Sequence, residues 1–164
     1  CDLSPDSLHV VRDRHEKRQG FLGTFSIVEL PSSGLQFDAV VLVELVEHVN
    51  DDILRRIFDD VKHILSPGGL VIVTSPNDED LSVETVYCPC CEHTFHRWQH
   101  IRSWSGATLA ELFSSQGLEP VSSMTTDFSL SPKAGLLRYW ARRLLNLVGK
   151  RRAPHLVGVA RKTR

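Results

Sequence analysis

Methionine is all but missing from this 164-residue chain, with Met124 the single example, and no G-x-G-x-G pattern occurs anywhere in it. No apolar run approaches the roughly 20 residues that a membrane-spanning helix needs, and no secretory signal pattern opens the chain, so the expected setting is cytoplasmic. Cysteine is scarce as well. Cys1 stands far from Cys88, Cys90 and Cys91, so the two separate CxxC pairs of a full zinc site cannot be assembled. Acidic residues are absent from Lys133 onward, where ten Lys or Arg occur, while the preceding residues hold nine bases and twenty acids. A formal net charge of −1 therefore hides two ends of opposite sign. What remains, 41% apolar and 24% charged, is the composition of one soluble domain with a sizeable core. Because the chain opens on Cys1 and not on methionine, the reading is that it is the downstream part of a longer protein.

The run Ala39-Val40-Val41-Leu42-Val43 is continuous and β-branched, as in a strand buried on both faces of a sheet. Ile53, Leu54, Ile57, Phe58, Val61, Ile64 and Leu65 then recur at helical spacing. Asn50-Asp51-Asp52 supplies the start signal and Pro67-Gly68-Gly69 the stop. Leu70 to Val73 completes a strand-helix-strand crossover. Where the first strand ends, Glu44, Glu47 and His48 crowd together, and open α/β sheets place their ligands at strand ends of this kind.

The segments Phe37 to His48 and Leu65 to Asn77, with the pattern FDxVxxxExxEH and LxPGGxxxxxxPN, resemble the fourth and fifth strands of the class I S-adenosylmethionine-dependent methyltransferases. The resemblance extends over most of residues 1–126. It implies an α/β Rossmann-like fold, a mostly parallel sheet with an antiparallel last strand, whose first strand and first helix are missing from this chain. The whole of 1–164 is then a single, N-terminally incomplete methyltransferase domain. In such a sheet the missing strand is central, so the neighbouring edges carry unpaired backbone groups, and the segment alone is expected to bind cofactor weakly.

The resemblance also places a cofactor, S-adenosyl-L-methionine. Cys1 to Leu8 reads as the end of a second strand running into a helix capped by Ser4 with Pro5 at its first position. The family's ribose-binding acid falls on Asp2, followed by Leu3, since one carboxylate accepts two hydrogen bonds from a diol. Gly23 to Pro31 reads as the third strand, and the acid near the adenine falls on Glu29 or its position on Ser26. Glu44 closes the cofactor set.

Two oxygen ligands and an imidazole suit Mg²⁺ or Mn²⁺. Glu44, Glu47 and His48 share a face if the strand turns into a helical start. The ubiquinone-pathway O-methyltransferases and the small-RNA 3′-terminal 2′-O-methyltransferases resemble this cluster, and the latter imply a further metal-ligating imidazole, matched best by His100 and next by His96. A metal there lowers the pKa of a substrate hydroxyl. His48, His96 and His100 are also the candidates for a general base. The alternative for Cys88, Cys91, His93 and His96 is a reduced zinc knuckle binding Zn²⁺, within a substrate or knuckle loop over 78–104.

After the helix Thr108 to Phe113, closed by Gly117, Leu118 begins the sixth strand and His155 to Arg161 forms the seventh, antiparallel to it. Between them an amphipathic basic helix is predicted over 131–152, with Leu136, Leu137, Trp140, Leu144, Leu147 and Val148 on one face. Three functions fit these residues. The first is O-methylation of a small-molecule or lipid-like substrate, with peripheral membrane contact through 133–152. The second is a metal-dependent RNA 2′-O-methyltransferase binding nucleic acid, and the third a noncatalytic binding protein on a degenerate methyltransferase fold.

If the basic helix is a surface anchor, binding to anionic liposomes rises with acidic lipid and falls with salt, over a Debye length of about 8–10 Å. Replacing Leu137, Trp140 and Leu144 by serine then removes liposome binding in a flotation assay while the circular dichroism spectrum is unchanged.

Overall fold

The computed structural model describes residues 1–128 and 153–163; the basic helix expected at 131–152 and its membrane contact lie outside the described residues. Helix α1 (Pro5–His15) begins as the sequence dictates. The Ser4 hydroxyl accepts from the Ser7 N–H at 3.3 Å, and Pro5 stands where a missing N–H costs nothing.

The crossover is formed by strand β1 (Phe37–Val43), helix α2 (Asp51–Ile64) and strand β2 (Leu65–Pro76), with β1 and β2 parallel. Asn50 caps α2 by accepting from the Ile53 N–H at 3.0 Å. Leu54, Phe58, Val61 and Ile64 of that helix are buried. The Pro67-Gly68-Gly69 stop ends the helix without delaying the strand. Leu65 already pairs with Phe37, residues 66–69 bulge out around Gly68 at φ 79°, and pairing resumes between Ala39 and Leu70.

Beyond β2 the chain makes a small hairpin of β3 (Thr85–Tyr87) and β4 (Thr94–His96), then helix α3 (Gly106–Ser115), β5 (Leu118–Thr126) and β6 (His155–Lys162). Ser105 and Thr108 form a reciprocal capping box on α3, and Gly117 takes the left-handed conformation just past its end. The main sheet runs β1-β2-β6-β5, and β6 is antiparallel to both neighbours. The expected antiparallel last strand is therefore present, wedged between β2 and β5. Its core unites Phe58 of α2, Leu109 and Phe113 of α3, Val71 and Val73 of β2, and Leu156 and Ala160 of β6. Phe58 and Phe113 meet edge to face with ring centroids 6.2 Å apart.

Two expectations are corrected. Gly23 to Pro31 is not a strand: it makes one parallel bridge, Ser26 to Asp2, and then tightens into a 3-10 turn over Leu30–Ser33. The Glu29 and Leu30 N–H groups both turn back to the Ser26 carbonyl, and with only one bridge partner there is no ladder to extend the segment. Second, β1 is not covered on both sides. It is the sheet edge, Val41 and Val43 are 54% and 64% exposed, and only Leu42 of the strand is buried. Helix α1 buries none of its residues, so it cannot supply the missing cover.

Gly158 in β6 faces α3 so closely that a Cβ there would lie 2.4 Å from Leu109 Cδ2 and 3.1 Å from the Phe113 ring. Gly158→Ala is expected to destabilise the fold by about 1–3 kcal/mol through overpacking, read as a lower midpoint in urea unfolding.

Candidate functional site

Because β1 and β2 are parallel, their carboxyl ends lie side by side, Val43 opposite Thr74. Glu44, the next residue, donates its N–H to the Thr74 carbonyl at 3.1 Å, while the Thr74 hydroxyl donates to Glu44 Oε1 at 2.8 Å. Glu44 sits at φ 47°, a conformation that costs a non-glycine residue on the order of 1 kcal/mol or more. The helical start expected at Glu44 is thus a sharp turn, with the His48 N–H on the Leu45 carbonyl, and α2 waits for its Asn50 cap. This turn drives Glu47 inward, to 1% exposure, and leaves His48 at the surface.

The segment 78–104 closes on itself at its base: Asn77 bridges Trp104, and the Asp78 N–H donates to the Trp104 carbonyl. After β4 the chain reverses at Gln99, φ 61°, and delivers His100. Two ties then lock that end to the Glu47 turn. The Ile101 N–H donates to the Glu47 carbonyl at 2.9 Å, and Arg102 pairs with Asp51 at 2.8 Å. The His100 ring meets the His48 ring edge-on, centroids 4.7 Å apart, and its Nδ1 lies 2.5 Å from Glu79 Oε2.

Among the described residues, two groups gather three metal-ligating atoms within 4.8 Å of one another: Glu47, His48 and His100, and beside it Glu79, His96 and His100. His100 belongs to both. The sequence reading found Glu47, His48 and His100, and these are brought together. Glu44 is not in either group, since its carboxylate is engaged by Thr74.

Neither oxygen of Glu47 has a hydrogen-bond partner. Burial, and to a smaller extent the Glu44 charge, raise its pKa above the ordinary glutamate value, against its own nearby backbone N–H dipole, His48 and His100, which lower it. A buried carboxylate without a hydrogen bond, its Oε1 4.0 Å from His48 Nε2 and with His100 beside it, is a donor set that a divalent cation satisfies.

His96 is buried under the site, 3% exposed at the side chain. Its Nδ1 accepts the His100 N–H at 3.3 Å, and its Nε2 has no hydrogen-bond partner. A general base must reach solvent or substrate, so His48 and His100 keep that candidacy and His96 loses it. The zinc alternative loses His96. His96 pairs with Thr85 at the far end of the hairpin from Cys88 to His93, and His93 Nδ1 turns to the Cys91 carbonyl. The cysteines are all free. Backbone N–H groups of Cys91 and Cys90 bond to the Cys88 sulfur and hold its pKa below the ordinary thiol value.

Two concavities flank Glu44. One, about 490 Å³, is lined by Glu44, His48, Glu79, Trp98, His100 and His155. The other, about 610 Å³, is a more apolar groove along the free edge of β1, where Asp2, Leu3 and Ile27 face Val41, Val43 and Glu44. Asp2 Oδ1 accepts the Ser4 N–H at 2.8 Å, so part of its carboxylate is already used. Glu29 is exposed and does not line the groove. The sequence reading missed Glu79, Trp98 and His155. Only the loop closure and the β6 pairing bring them to the strand ends, and neither leaves a local spacing signal.

The family described as "Methyltransferase domain" matches residues 2–123, about three quarters of the chain. The chain is similar to the small RNA 2′-O-methyltransferases of Drosophila melanogaster, 34% identical over 68 residues (42% of this chain, 17% of that protein), and of Mus musculus, 43% identical over 54 residues (33% and 13%). It therefore spans less than a fifth of the length of these curated relatives. In fold it is similar to the N-methyltransferase NodS from Bradyrhizobium japonicum in complex with S-adenosyl-l-homocysteine, with a TM-score of 0.56 and 16% identity over 99% of this chain and 65% of that one.

A raised Glu47 pKa means that the folded state holds a proton more tightly than the unfolded state, so the penalty is absent below the ordinary glutamate pKa and grows as pH rises through the folded one. In chelator, Glu47→Gln is thus expected to melt above the wild type at neutral pH, with the gap closing in acid. If Glu47 takes part in a cation site, Mn²⁺ at one hundred times its Kd stabilises the wild type by about 2.7 kcal/mol and the variant by less, read as a rise in melting temperature.

Proposed function

The chain belongs to the methyltransferase domain family, and from that premise we propose that it transfers a methyl group from S-adenosyl-L-methionine to a hydroxyl oxygen of a small-molecule acceptor, with a divalent cation at Glu47, His48 and His100. The observation that supports this most directly is the position of Glu44. It forms part of both the groove along β1 and the pocket of the Glu-His cluster, so a donor in one and an acceptor in the other would meet at the strand ends.

Asp2 and Leu3 line the groove and are the candidates for the ribose of the cofactor. The donor, when bound, supplies an electrophilic methyl on a sulfonium. A cation, when bound, supplies positive charge that lowers the pKa of a nearby hydroxyl. The protein's own part is mostly positioning. The turn at Glu44 and the Ile101 tie to Glu47 hold the acceptor pocket fixed against the groove, and a fixed in-line geometry accounts for several kcal/mol of a barrier of this kind. Where no cation engages it, His48, 36% exposed at its side chain, is the candidate to take a proton from an acceptor in the pocket.

A second reading, methylation of a ribose 2′-hydroxyl on RNA, is favoured by the similarity to the two small RNA 2′-O-methyltransferases. The acceptor separates them.

Methyl transfer assayed on a panel of catechols and of RNA 3′ ends is expected to favour the small acceptors, to collapse in chelator and to return with Mn²⁺. In the full-length protein, Asp2→Ala is expected to weaken S-adenosylhomocysteine binding by about 2–3 kcal/mol in calorimetry, the cost of losing charge-assisted hydrogen bonds. Unchanged turnover in chelator overturns the metal's role, and preference for RNA ends selects the second reading.

A further inference from the structure

Glu79 lies 21 residues before His100 in sequence, yet its Oε2 is 2.5 Å from His100 Nδ1. An ionised carboxylate only accepts, so this contact fixes the proton of a neutral His100 on Nδ1. The nitrogen left for the Glu47 and His48 side is Nε2, with its lone pair free. His96 reinforces the arrangement. Its Nδ1 accepts the His100 backbone N–H, so its own neutral ring carries the proton on Nε2, which faces Glu79 Oε1 at 3.8 Å. Glu79 is 21% exposed and thus sits between two imidazole N–H groups at the edge of the pocket.

We propose that Glu79 is a positioning residue that locks His100 in the Nδ1–H tautomer and aims Nε2 at the Glu47–His48 group. A metal-ligating imidazole whose other nitrogen donates to a carboxylate is oriented and made more basic by it. Glu79 therefore acts through His100, and by the same geometry His100 Nδ1 is not available as a ligand of the neighbouring Glu79–His96–His100 group. The tautomer itself depends on no metal; its effect on cation affinity rests on the reading of Glu47, His48 and His100 as a cation site.

Two measurements test this on the intact chain. Long-range ¹H–¹⁵N correlation of the histidine side chains, in chelator, is expected to find His100 of the wild type protonated on Nδ1 with an unprotonated Nε2. In Glu79→Ala the proton moves toward Nε2, whereas Glu79→Gln, which retains an oxygen acceptor, preserves the wild-type pattern at least in part. Mn²⁺ titration followed by electron paramagnetic resonance is expected to give a Kd 10- to 100-fold weaker for Glu79→Ala, partly restored in Glu79→Gln. A wild-type His100 carrying its proton on Nε2 overturns the proposal, whether or not the variants fold. So do an unchanged tautomer and unchanged Mn²⁺ affinity in folded Glu79→Ala. A shifted tautomer in a protein that binds no Mn²⁺ upholds Glu79 as the positioning residue and removes the cation from the site.

Discussion

A carboxylate that has lost its water and gained no hydrogen bond is among the least tolerable groups in a protein interior, and Glu47 is one. The architecture around it is a set of answers to that cost. The turn that begins at Glu44 forces the side chain inward; the loop that returns through Ile101 fastens to the Glu47 carbonyl; His48 and His100 are thereby held beside the carboxylate. Each of these parts stores strain or uses a long-range tie. Glu44, Asp78 and Gln99, three of the four non-glycine residues with positive φ among the described residues, bracket this site. A fold does not accumulate such conformations in one place unless the surroundings over-determine them, and sites of binding and catalysis are where that happens.

Much of the scaffold could be read from the chain because its signals are local. Ser4 and Pro5 announce α1, Asn50 announces α2, and the apolar spacing of Leu54, Phe58 and Val61 identifies the face that is buried. The antiparallel pairing of the last strand with β5 followed from the family resemblance, whereas its place beside β2 was not read from the chain. The errors came where a residue pattern describes a neighbour that the strand does not have. Val41 and Val43 have the side chains of a covered strand, yet both are more than half exposed. Gly23 to Pro31 has a strand's composition and a single bridge.

The site was legible in the same measure. Glu47 and His48 are adjacent and His100 stands in a histidine-rich run, so all three drew attention. Glu79 did not, because an acid among Asp78, Glu79 and Asp80 looks like a solvated turn until the loop closes through Asn77 and Trp104. His96, the second imidazole that the resemblance offered, lies buried beside Glu79 and His100, and not with Glu47 and His48, because the extended geometry of β4 and the reversal at Gln99 separate it from His100.

The shared wall at Glu44 has a thermodynamic corollary. Its backbone is pinned to Thr74 and its carboxylate to the Thr74 hydroxyl, so it cannot yield to a ligand on one side without altering what is felt on the other. On the proposed reading, affinities in the groove and in the pocket would be linked, and linkage is reciprocal: whatever factor the first occupant imposes on the second, the second imposes on the first. The order in which two ligands arrive would be free to vary, while the free energy of the doubly occupied state would not.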